Sequence, residues 1–192
     1  GLHIDEAIVT ASCVNGLYAA TAAKMYPERV RALVLCQTPS LPQLKRWAKR
    51  TVPWPLRNRV LGDRLLRLSR RRFAAFWYVR AVGASAAPDT RVRFDDIARQ
   101  GFRAGASWRL APLILAILAE PDDRIDDVTV PTRLLWGDED GTHRKAGTEP
   151  WSGPGTVIET CSVPTGHFPE LENPDRFAAV VRATAGKVWP DG

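Results

Sequence analysis

Three residues that could supply a nucleophile, a proton carrier and an orienting carboxylate each follow a β-prone run of the chain. Cys13 follows EAIVTAS, Asp140 follows VTVPTRLLWGDE, and His167 follows TVIETCSVPTG. A thiolate can attack a carbonyl carbon, an imidazole can move the proton, and a carboxylate can fix the imidazole tautomer. In open α/β sheets the carboxyl ends of the strands form the site, so we expect these three side chains to converge there. The chemistry they could support is acyl transfer.

Cys13 lies at a predicted tight turn between a strand and a helix, which would project its side chain. The helix is predicted from NGLYAATAAKMYPERV, where apolar and small residues recur at helical spacing. A helix N-terminus and a neighbouring histidine lower the pKa of a thiol, and the Val14 N–H would face a developing oxyanion. Two alternatives remain open: Cys13 could be a buried apolar residue, and Ser12 is a competing nucleophile.

The acidic turn that contains Asp140 leaves further alternatives. Asp138, two positions earlier, is the second candidate for the orienting carboxylate. Asp140 and His143 have a D-x-x-H spacing that a metal site could use, but the sequence supplies no third or fourth ligand, so neither metal nor cofactor is predicted. Cys36 and Cys161 lie inside predicted strands and are expected to be core residues.

The elements that must position these residues predict an α/β fold with a mostly parallel sheet flanked by helices. The first strand, helix and second strand form a βαβ unit within the first 37 residues. Asn173 is the expected N-cap of the last helix, with Pro174 at its first helical position. Strands are predicted at 6–13, 30–37, 128–140 and 156–167, and the later helices near 62–82, at 94–119 and at 173–187.

Length and composition indicate one globular domain, since the chain has 192 residues of which 45% are hydrophobic. No apolar run approaches the roughly 18 residues that cross a bilayer, and the N-terminus lacks a signal-peptide pattern. The cysteines are three in number and far apart in sequence, which favours neither a disulfide framework nor a zinc ribbon. We therefore expect a cytoplasmic protein that does not bind membranes; its oligomeric state is left open.

The charge is concentrated in one segment, because residues 41–110 carry 17 Lys and Arg against 4 Asp and Glu. Such a surplus could attract nucleic acid. However, the arginines are interleaved with Leu, Phe and Trp in LGDRLLRLSRRRFAAFWYVR, which shows no RNP, helix-turn-helix or zinc-finger pattern. Amphipathic helices with arginines on their outer faces are the favoured interpretation, and nucleic acid is not a predicted partner.

Four segments of the chain, in order, resemble the α/β-hydrolase-fold superfamily from its nucleophile elbow onward. ASCVNG at 11–16 is similar to the elbow, with Cys13 in the nucleophile position, and PERVRALVL resembles the helix end and strand that follow it. PTRLLWGDED resembles the turn that bears the triad acid, which would be Asp140. TGHFPELENPDRF resembles the histidine loop, which would make His167 the base.

The resemblance implies a partial hydrolase core at 1–37 and 127–192, interrupted by a helical cap at 38–126. It implies a hydrolase of a small ester, lactone, thioester or related acyl compound, with no cofactor. In that reaction Cys13 would attack the carbonyl, His167 would carry the proton, Asp140 would orient the imidazole, and the Val14 N–H would form part of the oxyanion hole.

Two departures from the family pattern qualify the resemblance. Asn15 stands where the elbow normally has a smaller residue, so we expect a strained turn. The family's first strands and the loop that supplies a second oxyanion donor precede the elbow, so the chain corresponds to a C-terminal fragment that would be inactive alone and would leave one edge of its first strand open. The alternative to an enzyme is a catalytically silent relative that binds a ligand or a protein.

Overall fold

Four strands form one parallel sheet in the order β1-β2-β3-β4. The structure is a computed structural model that describes residues 3–62, 64, 65, 68, 81–103, 110–121, 128–142 and 158–190. The strands are β1 (Ala7–Ser12), β2 (Val30–Cys36), β3 (Thr132–Gly137) and β4 (Ile158–Val163). The described helices are α1 (Asn15–Met25), α2 (Leu41–Thr51), α3 (Pro88–Arg103), α4 (Leu110–Ala119), α5 (Pro169–Glu172) and α6 (Pro174–Val188), with a short 3-10 helix at Trp54–Arg57. The predicted α/β class with a parallel sheet is confirmed.

Each of the four described strands lies within a range that the sequence predicts. Asn173 caps α6 as expected, because its side-chain oxygen accepts a hydrogen bond from the Arg176 N–H at 3.1 Å. The single helical stretch predicted at 94–119 differs: α3 begins earlier, and α4 is described separately from residue 110. Residues 104–109, most of the helix predicted near 62–82, and His143 lie outside the described residues. The division into core and cap stays a prediction.

The nearly continuous apolar run of β2, interrupted by the exposed Arg31, is explained by its burial on both faces of the sheet. Leu33 and Leu35 belong to a core that also contains residues of α1, α2 and α4. Val34 and Cys36, on the opposite face, pack with Leu135 of β3 and with α6. Helices therefore cover β2 on either side and hold its carboxyl end in place.

The strand register brings the carboxyl ends together at one edge of the sheet. Ser12 is paired with Cys36 between β1 and β2, and Gly137 with Val163 between β3 and β4. The residue that follows each strand therefore begins a loop on this carboxyl edge, where Cys13 and the turn of Asp140 lie. At the side of the sheet, β1 is the terminal strand among the described residues, with one neighbour, β2.

Basic residues of the described part of the 41–110 segment lie mainly on the outer faces of amphipathic helices. In α2, Lys49 and Arg50 are exposed while Leu44 is buried. In α3, Arg99 is exposed and pairs with Asp95, while Phe94 is buried. This pattern favours the interpretation that the arginines of this segment cover the outer faces of amphipathic helices. None of the helices in the described ranges has the length and apolarity needed to cross a membrane.

Candidate active site

Cys13 occupies the apex of the turn between β1 and α1 in the left-handed backbone region, with φ of 55°. That conformation costs a residue other than glycine about 1–3 kcal/mol and persists only where its surroundings impose it. Here the Cys13 N–H donates to the Cys36 carbonyl at 2.8 Å, and its own carbonyl accepts from the Gly16 N–H at 3.0 Å. The Thr38 hydroxyl donates to the same carbonyl at 3.1 Å. Cys13 is thus held where the strand end and the helix N-terminus meet.

The close approach that the turn requires is found at Gly16, not at Asn15. A Cβ on Gly16 would lie 2.2 Å from Thr38 Oγ1 and 2.4 Å from its Cγ2. Asn15 is the first residue of α1, and its side chain is exposed, so its size meets no obstacle within the described residues. The expectation that Asn15 strains the turn is therefore not supported, because the left-handed residue is Cys13 itself.

His167 joins the other two predicted residues. Its Nδ1 lies 2.9 Å from Asp140 Oδ2, with both side chains nearly fully buried. Its ring also forms a side-chain hydrogen bond with Cys13. Asp140 is fixed in turn, because its Oδ1 accepts from the Thr142 N–H at 2.6 Å. Three residues that are far apart in the sequence thus form one continuous chain of hydrogen bonds at the carboxyl edge of the sheet.

The electrostatics of this cluster favour a charged imidazole. Burial alone would lower the pKa of His167, because it penalises the imidazolium. The negative charge of a Cys13 thiolate and the hydrogen bonds to Asp140 and Cys13 outweigh burial and raise the pKa of His167 to about 10. A thiolate paired with an imidazolium is the resting form of an activated cysteine nucleophile. The arrangement can therefore attack an electrophilic carbon and then supply a proton.

Comparison with known proteins gives the fold but not a close relative. No protein-family model and no curated protein matches the chain. A thermophilic esterase from Thermogutta terrifontis is similar in structure, with a TM-score of 0.65, 19% identity, and coverage of 96% of this chain and 66% of that one. An enol-lactonase from Burkholderia xenovorans matches with a TM-score of 0.68 and 17% identity, covering 96% of this chain and 67% of that one.

A proline iminopeptidase from Mycobacterium smegmatis matches with a TM-score of 0.61 and 19% identity over 97% of this chain and 67% of that one. The chain has the α/β-hydrolase fold. It spans about two thirds of the length of these structures. The likeness establishes the fold on which the Cys13, Asp140 and His167 cluster is built, and the chemistry has to be argued from the site itself.

Within this hydrolase fold, the competing candidates have other partners. The Ser12 hydroxyl donates to Glu170 Oε1 at 2.6 Å. Asp138 Oδ1 accepts from the Ser162 hydroxyl at 2.6 Å in an exposed position. Burial and the neighbouring Glu170 carboxylate raise the pKa of the Cys36 thiol, which keeps it protonated. These contacts favour Cys13 and Asp140 over the alternatives that the sequence left open.

Sequence reasoning missed two residues that shape the candidate site. Gln37 follows β2 with φ of 47°, is buried, and donates from Nε2 to the carbonyls of Gly137 at 3.1 Å and Gly166 at 3.2 Å. Glu172, five residues after His167, accepts hydrogen bonds from backbone N–H groups on both sides of the histidine. A polar residue directly after the apolar run ALVLC of β2 was the available signal for Gln37.

A cavity of about 210 Å³ adjoins the turn that follows Cys13. Val14 and Leu17 line it from the side of α1, and Leu41 and Ile117 line it from α2 and α4. Its walls are mainly apolar and suit a small hydrocarbon group. Within the described ranges, no cluster of three or more His, Cys, Asp and Glu residues could hold a metal ion.

Proposed function

We propose that this chain forms the catalytic part of a hydrolase for small esters, lactones, thioesters or related acyl compounds, with Cys13 as the nucleophile. One observation carries the proposal: His167 is hydrogen-bonded to Cys13 on one side and to Asp140 on the other, at the carboxyl edge of an α/β-hydrolase sheet. A nucleophile, a base within hydrogen-bonding reach and a group that orients the base are the minimal parts of such a site.

In the first half-reaction, the Cys13 sulfur forms a bond to the substrate carbonyl carbon while His167 carries the proton. The carbonyl electron pair moves to oxygen, and the Val14 N–H, at the start of α1, is the proposed donor to that oxyanion. When the intermediate collapses, the bond from carbon to the leaving oxygen breaks, and His167 protonates the leaving alkoxide. The product is an acyl thioester on Cys13.

In the second half-reaction, His167 takes a proton from water, and the hydroxide oxygen bonds to the acyl carbon. The carbon–sulfur bond then breaks, which releases the carboxylic acid and restores the Cys13 thiolate. Asp140 holds the Nδ1 side of the imidazole throughout, so that the other ring nitrogen faces the reaction. If an alcohol or amine replaces water, the same steps transfer the acyl group to it.

The substrate is proposed to carry a small apolar group next to the reacting carbonyl. Val14 both follows the nucleophile and lines the cavity of about 210 Å³. Since each carbon group of a substrate occupies tens of cubic ångströms, that cavity suits a short chain or a single ring. Hydrolysis needs no metal or cofactor in this scheme, because the imidazole and backbone donors supply proton transfer and charge stabilisation.

The test of the proposal combines turnover with detection of the covalent intermediate, in the full natural protein. With p-nitrophenyl acetate and butyrate, Cys13→Ala is expected to lower kcat/KM by about a thousandfold or more. Cys161→Ala, which changes another partly exposed cysteine, is the matched control and should leave kcat/KM within about twofold. Intact-mass spectrometry during turnover should find the acyl group on wild type and not on Cys13→Ala.

The second candidate is a catalytically silent relative that binds a ligand or protein in the same place, and it is favoured only by the presence of cysteine at the nucleophile position. That function would leave affinity for the bound ligand unchanged in Cys13→Ala. An absence of turnover of any acyl substrate by the full natural protein, together with resistance of Cys13 to iodoacetamide, would exclude the enzyme and favour the binder.

A further inference from the structure

Glu172, the last residue of α5, binds three backbone N–H groups that surround the histidine loop. Its Oε2 accepts from the Gly166 N–H at 2.8 Å and from the Gly83 N–H at 2.9 Å. Its Oε1 accepts from the Phe168 N–H at 3.3 Å. Gly166 and Phe168 flank His167, so the carboxylate holds the backbone on both sides of that residue. Gly83 belongs to a separate segment of the chain, 89 positions away from Glu172.

Residues 81–85, here called the stem segment, lie directly against the histidine loop. The His167 N–H donates to the Ala81 carbonyl at 2.6 Å. A Cβ on Gly166 would lie 2.2 Å from that carbonyl oxygen and 2.3 Å from the Gly83 nitrogen. The two backbones are therefore too close for a side chain at position 166, and the Glu172 carboxylate bonds to both of them.

The stem segment also contacts the turn of the triad acid. Glu139, the neighbour of Asp140, accepts from the Ser85 N–H at 2.8 Å and from the Ser85 hydroxyl. Those bonds lower the pKa of Glu139. A Cβ on Gly83 would lie 2.6 Å from Glu139 Oε2 and 2.9 Å from Glu172 Oε2, so both carboxylates converge on Gly83. The stem segment thus joins the loops that carry Asp140 and His167.

We infer that Glu172 is a positioning residue for His167: its carboxylate locks the histidine loop to the stem segment of the predicted cap and so sets the distance between the imidazole and Cys13. The catalytic part of this inference rests on the proposed function, whereas the contacts of Glu172 do not depend on it. A carboxylate can accept all three N–H groups, whereas a glutamine amide has one accepting oxygen and would turn its donor NH2 group toward at least one backbone N–H. Small displacements of a catalytic group carry large rate costs.

The experiment compares Glu172→Gln with Glu28→Gln in the full natural protein. Glu28 is exposed and lies just before β2, at the amino edge of the sheet, whereas Cys13 lies at the carboxyl edge. The rate of Cys13 alkylation by iodoacetamide is followed between pH 5 and pH 10, since it reports the thiolate paired with His167. Glu172→Gln should slow alkylation at pH 7 by about tenfold and raise its pH midpoint, while Glu28→Gln matches wild type.

Two further readouts separate positioning from mere stability. Glu172→Gln should lower kcat for ester hydrolysis with KM unchanged, because only the reaction step needs the correct imidazole position. Ser85→Ala loosens the stem segment from the other side and should shift the alkylation profile in the same direction by a smaller amount. It decides the question if Glu172→Gln does not fold.

A folded Glu172→Gln variant with the wild-type alkylation profile would overturn the inference. If Glu172→Gln does not fold, an unchanged profile in Ser85→Ala would overturn it. Failure of the proposed function would give a different result from failure of the inference on Glu172. In that case no variant, nor the wild type, hydrolyses esters, yet the alkylation profile still responds to Glu172→Gln.

Discussion

At the scale of single residues, the site depends on the reciprocal effect of two charges. The Cys13 thiolate is a cause of the high pKa of His167, so the imidazolium must by the same interaction stabilise the thiolate. A serine at this turn could not form that pair at neutral pH, because its hydroxyl does not ionise there. In the proposed enzyme, cysteine at this turn would therefore give a resting state in which the charges are already separated.

Removal of the imidazole should make Cys13 behave more like an ordinary thiol. In His167→Gln, which keeps a polar side chain but cannot be charged, the pH midpoint of Cys13 alkylation should rise toward about 8.5, the usual thiol pKa. The measurement is the rate of iodoacetamide labelling followed by mass spectrometry from pH 5 to pH 10. A midpoint that is the same in wild type and His167→Gln would show that the histidine does not stabilise the thiolate.

The converse variant, Cys13→Ser, should lower the pKa of His167 from its value of about 10. Without the thiolate charge, burial becomes the dominant influence, and burial favours the neutral imidazole. The imidazole resonances of His167 in a pH titration by NMR report this directly. Cys161→Ser is the control that should leave those resonances unchanged; a high pKa retained in Cys13→Ser would assign the charge stabilisation to Asp140 alone.

At the scale of elements, the turn between β1 and α1 depends on one close contact, between Gly16 in the first turn of α1 and Thr38 in the loop after β2. Gly16→Ala would place a methyl group 2.2 Å from Thr38 Oγ1, which has to move away from the Cys13 carbonyl that it binds. We expect a loss of about 1–3 kcal/mol in the free energy of unfolding, together with reduced Cys13 reactivity.

The control for that prediction is Gly186→Ala in α6, where an added Cβ meets nothing within 4 Å. Alanine is a better helix former than glycine, so this variant should gain about 0.5–1 kcal/mol. Urea denaturation gives both values. If both alanine variants change stability in the same direction and by similar amounts, the contact between Gly16 and Thr38 is not what fixes the turn.

Elements with a repeating pattern could be predicted from the sequence, whereas contacts between loops could not. The run VRALVLC predicts a strand buried on both faces. Cys13, Asp140 and His167 each follow a predicted strand, which suffices to expect their convergence at the carboxyl edge of the sheet. Glu172 and Gln37 could not be assigned in this way. Their partners are backbone groups of distant loops, and no residue type in the sequence marks which carbonyl or N–H will need one.

At the scale of the whole molecule, Gln37 connects β2 to the ends of two other segments that form the site. Its buried Nε2 donates to the Gly137 carbonyl, at the end of β3, and to the Gly166 carbonyl in the histidine loop. Gln37→Met has a similar volume but no donor, so it leaves the Gly166 carbonyl without this partner. A loss of about 1–3 kcal/mol in the free energy of unfolding is expected.

Gln37→Glu should be more destabilising than Gln37→Met at pH 8, and the difference between the two variants should be smaller at pH 5. An ionised carboxylate has no donor and faces two carbonyl oxygens in a buried site, so folding raises the pKa of the introduced carboxyl above its unfolded value of about 4.3. The stability tied to its proton is complete below that unfolded value and is lost as pH rises through the folded pKa. Urea denaturation of both variants at pH 5 and pH 8 gives the comparison. The contrary result is a free energy of unfolding of Gln37→Glu that differs from that of Gln37→Met by the same amount at both pH values. That result would mean that the introduced side chain turns to solvent and that the carboxyl edge is held together without this donor.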